Sequence, residues 1–293
     1  MGTRFGKQRR RIKDIVCDLL FIIFIIFLLY ILLPSCSPHN YSGLVSWEEY
    51  QRRRNFEPYV LELDGDTGSL LYFGVLHTQH ANSPQIHEIK KRWREFRPDV
   101  VFTEGGIWPL EISLKTAVEK HGEQGLVRYL CRRDGIIIKS LEPRREQETF
   151  LLLKHFSAEQ IKVFYILRQA LLQRIMGREI NDIRYVHRIL KRLSAGPFAK
   201  TKLNTIRHFE LCVSHMFPGL ENWRLIPESY FYSSEPGSWL SRMFRMVNDI
   251  RNHSMIRKIM KQVKRGKRVF AVAGRSHVVM QEPVLRAETR QLR

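Results

Sequence analysis

The chain has 293 residues, 44% hydrophobic and 27% charged, a balance that excludes intrinsic disorder and can furnish the core of one large or two small domains. Lys and Arg outnumber Asp and Glu by 49 to 29, a net charge of +20, and such a field attracts polyanions. The basic residues are scattered as QRRR, KKRWR, CRRD, PRR and KQVKRGKR, without an aromatic-interleaved stripe or a helix-turn-helix, zinc-finger or RNA-recognition signature, so nucleic acid is not the expected partner.

The first segment reads as an address. Residues Leu19 to Leu33 are fifteen consecutive apolar side chains behind the basic stretch KQRRRIK, short for a bilayer span and suited to a signal-peptide core. Leu33-Pro34-Ser35-Cys36 then resembles a lipoprotein cleavage box, with an uncleaved signal anchor as the alternative. Residues 1–36 are therefore expected to tether the chain to a membrane. The six cations before Asp14 and Asp18 make this segment +4 and leave +16 for the remainder; the basic end stays cytoplasmic and the folded part is exported. No C-x-x-C spacing occurs among the four cysteines, and Cys131 and Cys212 read as small buried hydrophobes, a single disulfide between them being the alternative.

Residues 37–55 are polar and charged and read as a linker to an α/β domain over residues 56–293. PYVLELDGDTGSLLYFGV has two apolar runs around a Gly- and Asp-rich turn, a hairpin pattern; its DGDTG lacks the rest of a calcium loop. Ser83-Pro84 is an N-cap followed by a proline suited to the first helical turn, and Ile86, Ile89, Trp93 and Phe96 share one helical face. Arg97-Pro98 ends that helix and DVVFTE follows as a strand. Strand, helix, strand predicts a right-handed βαβ unit whose parallel strands end at one edge, so that residues 74–77 and Glu104 meet there. A helix over about 114–130 and the strand GIIIKSLE, ending at Glu142, continue the series.

Residues 150–235 or so carry no strand pattern and read as a helical insertion between the two halves of the sheet. Ser157 and Gln160 have capping-box spacing, and a second helix over about 180–193 stops at Gly196-Pro197. From Ser238 a long cation-rich helix, its solvated face interrupted by Arg251 and Asn252, leads into the strand RVFAVAG. The expected fold is α/β, a central mostly parallel sheet flanked by helices.

Two Gly-x-x-His turns, Gly74 to His77 and Gly274 to His277, each close an apolar run that reads as a buried strand. Glycine at a strand's carboxyl end permits a sharp turn and close approach to a ligand, in the crevice where open α/β sheets bind substrates. With Glu104 they place two imidazoles and a carboxylate at strand ends, a set suited to a divalent metal or to acid/base chemistry. The competing reading is a pair of structural histidines, and His80, His87 and His121 lie near enough to compete for the role.

The segment GVLHTQHANSPQIHEIKKRWREFRPDVVFTEGG, the Leu-Glu and later Gln of IIIKSLEPRREQ (Glu142, Gln147), the Arg-Asn-x-x-Met of RNHSM and the Gly-x-x-His of VFAVAGRSH resemble, in order, the motifs of the TraB/GumN and Tiki superfamily, whose broader relatives include haem-binding ChaN proteins and erythromycin esterases. Val75-Leu76 and VVMQEP depart from its pattern, and with RAETRQLR following soon after the family's final strand is expected to be missing. The resemblance implies a membrane-tethered extracytoplasmic hydrolase of a peptide or related acyl bond, metal-dependent as in the Tiki branch. It implies His77, Glu104 and His277 as ligands of a divalent metal (Mn, Co, Zn or Fe) or as acid/base groups, and Arg251 as the charge partner of a carboxylate or of an anionic substrate group. Gly74, Gly274, Asn252 and Glu142 would line the cofactor site. In a metal-free form His77 would be the general base, with Glu104 fixing its tautomer. The alternatives are a non-catalytic binder of a peptide signal or haem, and a structural relative held at the membrane by its charge.

Overall fold

A computed structural model describes residues 41–53, 57–175, 182–193, 198, 201–220, 222–232 and 238–291. The expected membrane tether over residues 1–36 and the Gly196-Pro197 stop lie outside the described residues. Among those described, no helix is long and apolar enough to cross a membrane.

The elements are α1 (Trp47–Arg52), β1 (Tyr59–Asp64), β2 (Ser69–Val75), α2 (Pro84–Phe96), β3 (Val100–Thr103), α3 (Leu114–Asp134), β4 (Ile137–Ser140), α4 (Arg145–Leu152), α5 (Ala158–Ile175), α6 (Asp182–Arg192), α7 (Ile206–Met216), α8 (Ser229–Tyr232), α9 (Trp239–Val263), β5 (Arg268–Gly274) and α10 (Arg275–Arg290). They form an α/β fold around one sheet, ordered β1-β2-β5-β3-β4. The β1–β2 hairpin is antiparallel and every other pairing parallel.

The sequence places β2 and β3 side by side; in the sheet β5 lies between them, pairing Phe73 with Val272 on one side and Thr103 with Val272 on the other. The last strand thus fills a gap left by the first crossover and takes the centre of the sheet. A strand covered on both faces can be apolar at every position, so local pattern marks β5 as buried without saying which neighbours it takes.

Strand alternation assigns the two faces. Leu70, Tyr72, Val100, Phe102, Val269, Ala271 and Ala273 pack against Met255, Ile256, Ile259 and Met260 of α9 and Val278 and Leu285 of α10. Leu71, Phe73, Val75, Val101, Phe270 and Val272 pack against Ile86, Ile89 and Trp93 of α2 and Val118, Leu126 and Val127 of α3. The Ser83 side chain caps α2 ahead of Pro84. Ser157 and Gln160 close the capping box on α5, each bonding the other's backbone N–H at 3.1 and 2.9 Å.

The helical insertion has its own core, in which Phe164, Leu167, Phe209, Trp223 and Phe231 meet Leu240, Met243 and Val247 from the first turns of α9. Because the later turns of α9 lie in the sheet core, this one helix of 25 residues joins both.

Three expectations are corrected. Of the expected linker over residues 37–55, the described part, 41–53, packs on the domain: Ser46 caps α1, and Val45 and Tyr50 are buried against Met280; its apolar residues are too few for a pattern but enough for a contact. His277 sits in the first turn of α10 instead of a loop, and the chain after it is helical to Arg290. The helix over 114–130 is two helices joined at Gly122, whose φ is +60° and ψ −143°. Cys131 and Cys212 are both free thiols.

Candidate active site

Parallel strands bring the carboxyl ends of β2, β5, β3 and β4 to one edge, and Glu104, Glu142, Gly274 and His277 stand there with His77. Glu104 is held on both oxygens. Its Oε2 accepts the Gly274 N–H at 2.6 Å and its Oε1 accepts from Arg251 Nη2 at 2.7 Å. The same guanidinium grips Glu142, Nε to Oε2 at 2.9 Å and Nη2 to Oε1 at 2.6 Å, and Glu142 Oε1 also accepts the Gly105 N–H at 2.9 Å. Lys258 Nζ donates to the carbonyls of Ser140, at 3.0 Å, and Glu142. α9 thus ties the ends of β3 and β4 together.

Burial opposes the ionised form of Glu104, but the positive charge of Arg251, aided by His277 and His77, outweighs it and holds the carboxyl well below the usual carboxylate range. Glu142 follows the same logic: burial raises it, Arg251 more than offsets that, and it too is lowered. Both are carboxylates at neutral pH.

The imidazoles are oriented by their other nitrogens. His277 Nδ1 lies 2.7 Å from Asn252 Oδ1, which also accepts from Gln281 Nε2 at 2.8 Å. An amide oxygen has no proton to give, so Nδ1 donates to it. That Nε2 stands 3.6 Å from Glu104 Oε1. His77 Nδ1 faces Glu123 Oε2 at 3.6 Å, and interaction with this carboxylate, working against burial, raises the His77 pKa. A Cβ built on Gly274 would meet Glu104 Oε2 at 3.3 Å and His77 Nε2 at 3.6 Å. The two atoms therefore flank one carbon-sized space over the end of β5. His277 is buried, whereas 54% of the His77 side chain is open to solvent.

Of the residues expected from sequence, His77, Glu104, His277, Arg251, Asn252, Glu142 and Gly274 are joined by these contacts. Gly74 is not part of the cluster. A Cβ there would press on Tyr59 O and Val278 at 3.0 Å and on the Arg275 Cα at 3.1 Å, so this glycine serves strand and helix packing, and β2 runs on to Val75 without turning. His121 bonds Glu111 at 3.0 Å and His87 its own helix cap; His80 is exposed.

Sequence reading missed Glu123 and Gln85. Glu123 is almost fully buried and accepts the Thr78 N–H at 2.8 Å and Gln85 Nε2 at 2.6 Å. Gln85 binds both the N–H and the carbonyl of Leu76, fixing the backbone that carries His77. Gly122, directly before Glu123, was the available signal, being a glycine inside a helical pattern.

The donor types are those a divalent cation takes, two imidazoles and a carboxylate, with each Nδ1 turned to an acceptor as in metal-bound histidines. Among the described residues, no three His, Cys, Asp or Glu side chains stand close enough to coordinate one ion as placed. Comparison with known proteins gave no match to a family model, a curated protein or a solved structure.

Proposed function

We propose that the chain is an extracytoplasmic hydrolase, tethered by its N-terminal segment, that cuts a peptide or related acyl bond at the carboxyl edge of the sheet with a divalent cation held by His77, Glu104 and His277. One observation carries this reading: His277 Nε2 faces Glu104 and His77 Nε2 borders the same space beside Gly274 as Glu104 Oε2, while the two Nδ1 atoms face Asn252 and Glu123. Structural histidines at strand ends do not require two separate orienting groups and a common target.

Glu104 remains ionised and is aimed by Arg251 and the Gly274 N–H, so its charge is fixed before substrate arrives. In a metal-free form His77, open to solvent and made more basic by Glu123, would instead take a proton from water at Nε2 and return it to a leaving group. His277 is locked in one tautomer and cannot swing away. A divalent cation bound to these groups supplies an acidified water and a polarised carbonyl. Nitrogen and oxygen donors of this kind accept Mn, Co, Zn or Fe.

Elemental analysis of the purified protein beside its His77→Ala and His277→Ala variants tests the ligand set. The expected result is about one metal per chain in the parent, lost in both variants, with hydrolysis of a fluorogenic peptide library lost in parallel. Equal metal content in all three would remove the metal from the proposal.

A further inference from the structure

The loop after Glu104 reads GGIWPLEI, and four of the six residues from Ile107 to Ile112 are large and apolar. Ile107, Trp108 and Leu110 are exposed, and Ile112 is 95% exposed. Such a contiguous apolar patch is a surface that a ligand can cover. The loop is also pinned at both ends. Gly105 and Gly106 take left-handed φ values of +75° and +93°; the Gly105 N–H donates to Glu142 at 2.9 Å and the Thr103 hydroxyl to Gly106 O at 3.0 Å. At the far end Glu111 accepts from Lys120 Nζ at 2.9 Å and lies 3.0 Å from His121 Nε2, and Ser113 caps α3. A loop held in this way cannot turn its apolar side chains inward without breaking those bonds, so the fold itself sets their exposure.

Contacts tie the patch to the site. The Trp108 ring comes within 3.4 Å of a Cβ built on Gly105, the residue after Glu104, and packs on His121 with ring centroids 5.5 Å apart. His121 directly precedes the Gly122 kink, beyond which Glu123 faces His77. Gln79, two residues after His77, donates to the carbonyl of Lys120 at 3.2 Å. The indole therefore stands between the segment that presents Glu104 and the one that orients His77. Charge then selects the occupant. From Glu104 to Ser113 there are two glutamates and no lysine or arginine, in a chain of net charge +20. This is not the cation-rimmed apolar surface that settles on anionic lipid. An uncharged apolar group suits it, and the molecule that must come to Glu104 and His77 is the substrate.

Resting on the hydrolase reading, we propose that Ile107, Trp108, Leu110 and Ile112 form a wall that receives a large apolar side chain of the substrate, so that the site selects peptides with such a residue close to the bond that is cut. The test uses the full-length protein in phosphatidylcholine nanodiscs and N-acetylated, C-amidated peptides that differ only by Leu against Ala, stepped through successive positions. Hydrolysis gives KM and kcat. Cross-linking by the same peptides carrying photo-leucine, mapped by mass spectrometry, gives contact independently. At one position wild type is expected to favour Leu by about tenfold in KM, what half-burial of the additional carbons yields, and photo-leucine there should label residues 107–112. Trp108→Ser and Ile107→Ser should each bring the Leu-to-Ala ratio toward one, the second guarding against a folding defect in the first, and Trp108→Phe should keep most of it. Wild type without a Leu preference at any position, variants that weaken both peptides equally, or cross-links that fall outside the loop overturn the proposal. Quenching of Trp108 by brominated lipid in the nanodiscs, read as the difference from Trp108→Phe, would assign the loop to the membrane and overturn it as well. If no peptide is cut, the hydrolase reading fails, and the cross-linking still decides whether the loop holds the apolar side chain.

Discussion

Removing the Arg251 guanidinium leaves Glu104 and Glu142 facing each other with little access to water. Uncompensated buried charge is among the costliest single changes in a protein, about 3–5 kcal/mol when one partner of a buried pair is lost. Arg251→Met should therefore lower the stability of the folded chain by about that amount at neutral pH. The pH dependence should also reverse. In the parent both carboxyls are lowered from an ordinary 4.5, so their contribution is complete above that value and is lost as pH falls through the lower folded values. In the variant burial and the mutual repulsion of the two carboxylates outweigh the remaining Gly274 and Gly105 N–H donors and the histidines and raise both, so stability should climb as pH drops from neutral toward the carboxylate range. Urea denaturation at several pH values reads both effects; a parallel loss in the two proteins on acidification would show that Arg251 does not govern these groups. Arg251 and its acids were legible in the sequence because each stands at a strand end or breaks the pattern of a helix. Glu123 was not, since a glutamate within a helical run looks like any solvated residue until the fold turns it inward.

The kink at Gly122 sets where Glu123 points. With φ at +60° and a built Cβ only 2.7 Å from Thr78 O, no side chain fits without moving the loop that carries His77. Gly122→Ala should cost about 2 kcal/mol or more, the left-handed penalty plus the collision. It should also draw Glu123 away from His77, returning the imidazole pKa toward its ordinary 6.5, which NMR titration of the histidines would detect. An unchanged His77 titration in a stably folded variant would show that the kink does not position Glu123. Secondary elements themselves were largely legible: α2 from its cap and apolar face, α5 from its capping box, β2 and β5 from their apolar runs. The neighbours of β5 were not, because strand order is decided by contacts between segments nearly two hundred residues apart, and no local periodicity records them. The same blindness hid the Gly122 kink, where helical spacing continues on both sides.

Where the domain begins bears on how the protein can be studied. The sequence suggests a linker through residue 55, which would allow a cut anywhere before Pro58. In the fold, Val45 and Tyr50 are buried, the Trp47 ring sits 5.2 Å from that of Phe244, and Val45 N–H donates to Met280 O at 3.0 Å. The Tyr41 N–H reaches His253 Nδ1 at 3.2 Å. These contacts cover α10 and α9, the two helices that carry His277 and Arg251, so residues 41–53 buttress the site from behind. A chain beginning at Tyr41 keeps all of these contacts and serves as the reference. One beginning at Glu57 gives up the burial of at least two large side chains and should lose about 3 kcal/mol or more. Thermal unfolding of the two truncations, followed by circular dichroism, separates the possibilities: equal midpoints would mean that α1 is held without contributing stability. A lower midpoint for the shorter chain, with residues 1–40 removed from both, would show that the helices carrying the candidate site depend on residues 41–53.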